Sequence, residues 1–162
     1  MVDFRNLGRW LGIAALAFTI WLVWWCQAER QVRRAQKRLL NAVESRDYTA
    51  LANLLAHDYR DGWENDKTFV LTQSPRVLDA FIMLDVEGEI RSTEDAGGGD
   101  WWVRQKIVIK GLGGGLGMYA RDKVNALNEP FSMKWRKRGW KPWDWELTRI
   151  EQPELRIPNR FD

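Results

Sequence analysis

The chain is poor in the residues that hold metals and disulfides. It has one cysteine, Cys26, and one histidine, His57, in 162 residues. A lone cysteine excludes an internal disulfide. One histidine with one cysteine leaves no donor set for a zinc site, and no metal is expected. An excess of one charge is also lacking, since 25 Lys and Arg stand against 22 Asp and Glu, for a net +3 at pH 7. So mild a balance gives no single-sign field, and no nucleic-acid partner is expected. Gly113-Gly114-Gly115 is followed by Leu116 and not by Lys-Ser/Thr. It is therefore no phosphate loop, and no cofactor is expected.

What the chain does have is tryptophan, eleven of them, and one long apolar stretch. Leu7–Cys26, LGRWLGIAALAFTIWLVWWC, carries a single charge, Arg9, and after it Thr19 is the only clearly polar residue. About 20 residues of helix span roughly 30 Å, the thickness of a hydrocarbon core. Trp10 stands at one end and Trp24 and Trp25 at the other, where indole rings favour the membrane interfaces. Cleavage as a signal peptide needs small residues before the cut, and Leu22, Val23, Trp24 and Trp25 are large. Trp25 is likewise too bulky to precede a lipoprotein cysteine at Cys26.

The reading is a tail over 1–9, a transmembrane helix over 10–27, one domain over 28–155 and a second tail over 156–162. The first partner expected is thus the lipid bilayer of the cell membrane, met through a single pass. Trp10, Trp24, Trp25, Arg30, Arg33 and Arg34 are the expected membrane-interface residues. Counting Arg and Lys after the span pulls the domain inward. A short basic tail before one anchor is, however, the layout of an exported bacterial protein, and an extracytoplasmic domain is expected against the count.

After the stretch the apolar period is helical. Val32, Ala35, Leu39, Ala42 and Val43 form one stripe over about Glu29 to Arg46. Asp47 can cap a second, short helix carrying Leu51, Leu54 and Leu55. Asn65 or Asp66 can cap a third with Phe69, Val70 and Leu71, which Pro75 should kink or restart. From Phe81 the period becomes two. Ile82, Leu84 and Val86 are expected on one face with Val103, Ile107 and Ile109, then Phe131, Met133 and Trp135, then Trp143, Trp145 and Leu147. Trp140, in the turn of the last hairpin, is left exposed. The opposite face sets Arg104, Lys106, Lys134 and Arg136 against Asp85, Glu87, Asp144 and Glu146. Gly111 to Gly117 is expected as a loop, and the segment onward to Pro130 shows no clear pattern. Helices first and antiparallel strands after make an α+β domain.

The run LLNAVESRDYTALANLLAHDYRDGWENDKTFV resembles the start of nuclear transport factor 2-like domains, also called polyketide cyclase-like or ketosteroid isomerase-like. It has a long helix over Leu39–Arg46, a "D-x-x-x-L-x-x-L-L" helix over Asp47–Ala56 and a "D-Y-x-D" strand over Asp58–Asp61, with a third helix from Asp66. The closing WRKRGWKPWDWELTRIEQPEL is similar too, and the resemblance covers about Glu29 to Leu155. It implies three helices packed on a curved antiparallel sheet, a cystatin-like cone with a pocket mouth between helices and sheet. It leaves function open, because isomerases, dehydratases and non-catalytic binding modules share this scaffold.

An isomerase on such a scaffold needs a carboxylate base and a donor for an enolate oxygen. Asp58, Asp61, His57, Tyr48 and Tyr59 are the dense group of such types, and no spacing among them marks base or donor, so no catalytic residue is assigned. Tyr59, Asp61 and Trp63 are the ligand-binding residues expected at the pocket mouth. The expected role is binding, of a protein partner or a small apolar ligand, at the membrane surface, with a homodimer through the open sheet as a further contact. The alternative is an isomerase or lyase acting in the cone.

Overall fold

The computed structural model describes Trp10, residues 12–19, Trp21 and residues 27–155. Trp24, Trp25 and both expected tails lie outside the described residues, so the expectations placed on them are not addressed by it. Trp10, residues 12–19 and Trp21 are helical. Their large apolar side chains are exposed, Ile13 at 58% and Leu16 at 63%. Among the described residues no helix is long and apolar enough to cross a membrane.

Helix α1 spans Ala28–Glu44 and buries the expected stripe of Val32, Ala35, Leu39 and Ala42. Two glutamines go under with it, Gln31 and Gln36. Arg46 takes a left-handed conformation at φ 56° and turns the chain, and its guanidinium donates to Phe81 O at 2.6 Å. Asp47 then caps α2, Tyr48–Leu54, by accepting from Ala50 N at 2.8 Å. Asp66 caps α3, Lys67–Leu78, by accepting from Phe69 N at 2.8 Å. α3 does not restart at Pro75, which lies inside one unbroken helix. Pro75 falls in the last turn, where its missing N–H costs one hydrogen bond, and Asp79 N still closes on Pro75 O.

Four antiparallel strands follow in the order β1-β2-β3-β4: β1 Phe81–Gly97, β2 Asp100–Gly113, β3 Phe131–Lys137 and β4 Trp145–Glu151. The β1–β2 tip is Gly98-Gly99, with φ of 64° and 89°, a pair of positive values that glycine adopts without strain. Phe131, Met133, Trp135, Trp145 and Leu147 face inward and are buried as expected.

Two residues expected on that face are outside it. Ile82 is 80% exposed because the register slips between Phe81 and Met83, a bulge that turns one side chain away and leaves Phe81 and Leu84 inward. Trp143 is 58% exposed because it lies in the β3–β4 connection, before pairing begins at Trp145. Trp140 is exposed as expected, at 87%.

The stretch expected as a loop, Gly111 to Gly117, is not one: β2 runs to Gly113 and a helix, α4, Gly115–Asn125, opens two residues on. Its two glycines disfavour helix, and docking holds it instead. Asn125 brackets the backbone of Ile109, accepting from N and donating to O at 2.8 Å each. Gly117 lies so close to the chain at Ala80 that an added Cβ would sit 3.2 Å from Ala80 O.

On the outer face Lys110 pairs with Glu87 at 2.5 Å and Lys134 with Asp100 at 2.8 Å. Lys106, expected to pair across strands, instead donates to Leu127 O just beyond α4.

Candidate functional site: an apolar cavity between helices and sheet

The interior is filled at one end and hollow at the other. Against β3 and β4 it holds a glutamine network. Trp135 Nε1 donates to Gln36 Oε1 at 2.9 Å, and Gln36 Nε2 donates to Gln105 Oε1 and to Met133 Sδ. Trp145 Nε1 donates to Gln31 Oε1 at 3.2 Å. Gly88 lets this pack closely, since a Cβ there would lie 2.4 Å from Leu40 Cδ1.

Below α3 and α4 lies a cavity of about 430 Å³, within the size range of small-molecule sites. Its walls are aliphatic and aromatic: Leu39 and Val43 from α1, Phe69 and Val77 from α3, Val124 from α4, Ile107 from β2. No residue of α3 is fully buried, and its apolar side lines this space. Three titratable groups line it, Asp61, Tyr119 and Lys123. Lys123 Nζ lies 5.4 Å from the centre of the Tyr119 ring.

The loop after α2 explains which expected residues reach the cavity. It runs along the free edge of β4, with Ala56 N, Arg60 N and Gly62 N donating to Leu147 O, Thr148 O and Ile150 O at 2.9, 3.1 and 2.8 Å. Side chains therefore alternate, Tyr59 and Asp61 inward and Arg60 and Gly62 outward. Asp61 lines the cavity and is 4% exposed. Its Oδ1 accepts from Trp63 N at 2.9 Å and Asn65 N at 2.8 Å, and its Oδ2 accepts from Asn65 Nδ2 at 3.0 Å.

Tyr59 is buried in the core and does not line the cavity. Burial pushes its hydroxyl pKa up, the charge of Asp61 adds to this, and Arg149 opposes it. Trp63 does not line the cavity either: half-buried, it donates from Nε1 to Leu155 O at 2.7 Å and ties the loop to the chain beyond β4. So Tyr59, Asp61 and Trp63 share one loop, and Asp61 alone of the three faces the cavity.

The other acid–base candidates lie elsewhere. His57 and Asp58 are exposed. Arg136 holds Asp58 in a two-pronged contact at 2.6 and 3.0 Å, which draws its carboxyl below the ordinary range. Tyr48 donates to Asp79 Oδ1 at 2.6 Å. No two of the five meet in the cavity. Among the expected interface residues, Arg33 pairs with Glu29 at 2.8 Å and Arg30 donates to Gln27 Oε1 at 2.8 Å. Among the described residues no group of three or more His, Cys, Asp and Glu could hold a metal ion.

Neither a family model nor a curated protein matches this chain. Solved structures do. A nuclear transport factor 2-like protein of unknown function in nutrient uptake, from Rhodospirillum rubrum, is 20% identical with a TM-score of 0.51, over 74% of this chain and 94% of its own. A hexachlorocyclohexane dehydrochlorinase from Novosphingobium barchaimii is 11% identical with a TM-score of 0.53, over 75% of this chain and 82% of its own. A domain of unknown function with a cystatin-like fold, from Nostoc punctiforme, is 9% identical with a TM-score of 0.53, over 80% of this chain and 78% of its own. The fold is therefore the α+β cone of nuclear transport factor 2-like, cystatin-like proteins, a class that holds both enzymes and proteins of unknown function. Likeness at these identities carries the fold and not the chemistry.

Proposed function

We propose that this chain is a membrane-tethered binding protein whose cone takes up a small apolar ligand. The observation that carries the ligand reading is the cavity of about 430 Å³, walled by aliphatic and aromatic side chains. Apolar walls exclude water and favour an apolar occupant. Among the described residues Asp61 is the one carboxylate that lines the cavity, and it is already used, both oxygens accepting hydrogen bonds from its own loop.

The tether reading rests on the composition of Leu7–Cys26 and on the exposure of Ile13, Leu16 and Phe18, apolar side chains that favour lipid over water. We place the domain on the extracytoplasmic side. The paired charges of the outer sheet face suit a protein partner or a second copy, as a further contact.

One observation favours a second reading, an isomerase or lyase. Asp61 is a buried carboxylate beside an apolar space, and such carboxylates serve as bases elsewhere. Two measurements on the full chain test the main reading. It should float with vesicles, and it should bind the neutral dye N-phenyl-1-naphthylamine saturably at one site. Asp61→Asn should keep that site, because an amide oxygen can still accept from Trp63 N and Asn65 N. A chain that stays in the soluble fraction contradicts the tether, and a chain that binds no dye contradicts the ligand reading.

A further inference from the structure

The connection from Arg138 to Asp144 carries two exposed indoles, Trp140 at 87% and Trp143 at 58%. Single exposed apolar residues are ordinary, but two tryptophans three apart among cations are not. Arg138 and Lys141 flank them, both exposed.

Contacts fix where this connection sits. Lys137 Nζ donates to Lys141 O at 2.7 Å and to Gln31 Oε1 at 2.5 Å. Arg38 Nη2 donates to Trp143 O at 3.0 Å. The connection therefore runs beside α1 from its first turn to Arg38. Gln31, Arg34 and Arg38 follow one another at helical spacing, so Arg34 belongs to the same face. Carboxylates lie nearby as well, Asp47 in the groove that Arg38, Arg138 and Trp143 line. Asp144 approaches Arg138 at 3.9 Å, and Glu29 is paired with Arg33.

The apolar stretch Leu7–Cys26 ends one residue before Gln27, the N-cap of α1. Gln31 is only about 6 Å further along the helix at 1.5 Å per residue. A bilayer that holds the stretch up to Cys26 must bring its headgroups to the first turn of α1, and so to the connection docked there.

We propose that the 138–144 connection is a second membrane contact. Trp140 enters the headgroup region, and Arg138, Lys141 and Arg34 lie over anionic lipid. Indoles favour that depth, and cations next to it are drawn to anionic headgroups. The contact rests on the tether reading, since it is the tether that brings a bilayer to this end of the domain.

The test uses the full chain carrying Cys26→Ser, with a single environment-sensitive nitrobenzoxadiazole label at Trp140→Cys. The reference label is at Gly115→Cys, a site with no atom within 4 Å of an added Cβ. Gly115 lies just past the far end of β2, roughly 40 Å from the β1–β2 tip at strand rise, and that tip meets Lys137 through Gly99 O at 3.2 Å. Both proteins are placed in vesicles of phosphatidylcholine and phosphatidylglycerol doped with doxyl lipid.

The expected result is a blue-shifted label at position 140, quenched several-fold more than the label at position 115, with the difference shrinking when phosphatidylglycerol is left out. Equal, unquenched labels on a chain that floats with the vesicles overturn this contact and leave the tether standing. A chain that does not float overturns both.

Discussion

Where α1 and α2 meet β3 and β4 the interior is full, and where α3 and α4 meet β1 and β2 it is hollow. The full end stacks Val32, Ala35, Trp135 and Trp145, with glutamines bonded to the indole nitrogens. The hollow end brings many apolar side chains to the walls of one open space. The difference starts in the helices. One side of α1 is apolar along its length and its residues reach the sheet. α3 and α4 have weaker stripes and hold their positions by caps and backbone contacts, Asp66 to Phe69 N and Asn125 to Ile109. Helices placed that way need not fill the volume beneath them, so the stability of the fold and the room for a ligand come from different parts of the chain.

That comparison can be broken most severely at the full end. Trp135→Ala should cost on the order of 3–5 kcal/mol, because the ring is 0% exposed. Phe69→Ala at the hollow end should cost only about 1 kcal/mol, since its ring is half-buried. Chemical denaturation of the two variants measures both, and equal losses would erase the distinction.

Gln36→Leu comes next. It leaves Trp135 Nε1 and Gln105 Oε1 without their partner, and a stranded buried group costs about 1–3 kcal/mol. Denaturant midpoints should fall accordingly, while dye binding at the hollow end stays as it was.

The smallest expected effect is a pH dependence outside both regions. Burial, with the hydrogen bond to Asp79 second, raises Tyr48 to about 12 in the folded chain, against about 10 unfolded. The neutral phenol is thus favoured by folding. Its contribution is complete below about pH 10 and fades as pH rises towards about 12. Tyr48→Phe should lose this slope, seen as a flatter alkaline profile of melting temperature.

Much of the full end was legible before the structure. A strong period marked α1, and strict alternation marked Phe131, Met133 and Trp135. The cap Asp47 was readable, and that of α3 to within one residue, Asn65 or Asp66, because an acceptor three residues before a free N–H is a local feature. The hollow end was harder. α4 opens on glycine and is held by contacts distant in sequence, which no periodicity records. The bulge at Ile82 depends on pairing with Leu112 and Gly113. Gln31 and Gln36 carry no mark of burial beyond their position, with Gln36 one turn from Val32 on the apolar stripe. Within the candidate site, Tyr59, Asp61 and Trp63 were expected together at the pocket mouth, and that they share one loop was legible; which of them line the cavity depends on the run of that loop along β4, a tertiary fact.

The hollow end is tested most directly by filling it. Ala120 lines the cavity from α4, and Ala120→Phe places a ring in space that no neighbouring side chain claims. Titrating wild type and Ala120→Phe with N-phenyl-1-naphthylamine, alongside their melting curves, separates binding from stability. Dye affinity should fall at least tenfold with the melting temperature nearly unchanged. If Ala120→Phe binds dye as the wild type does, or melts far below it, the space is not a ligand cavity and the account is wrong.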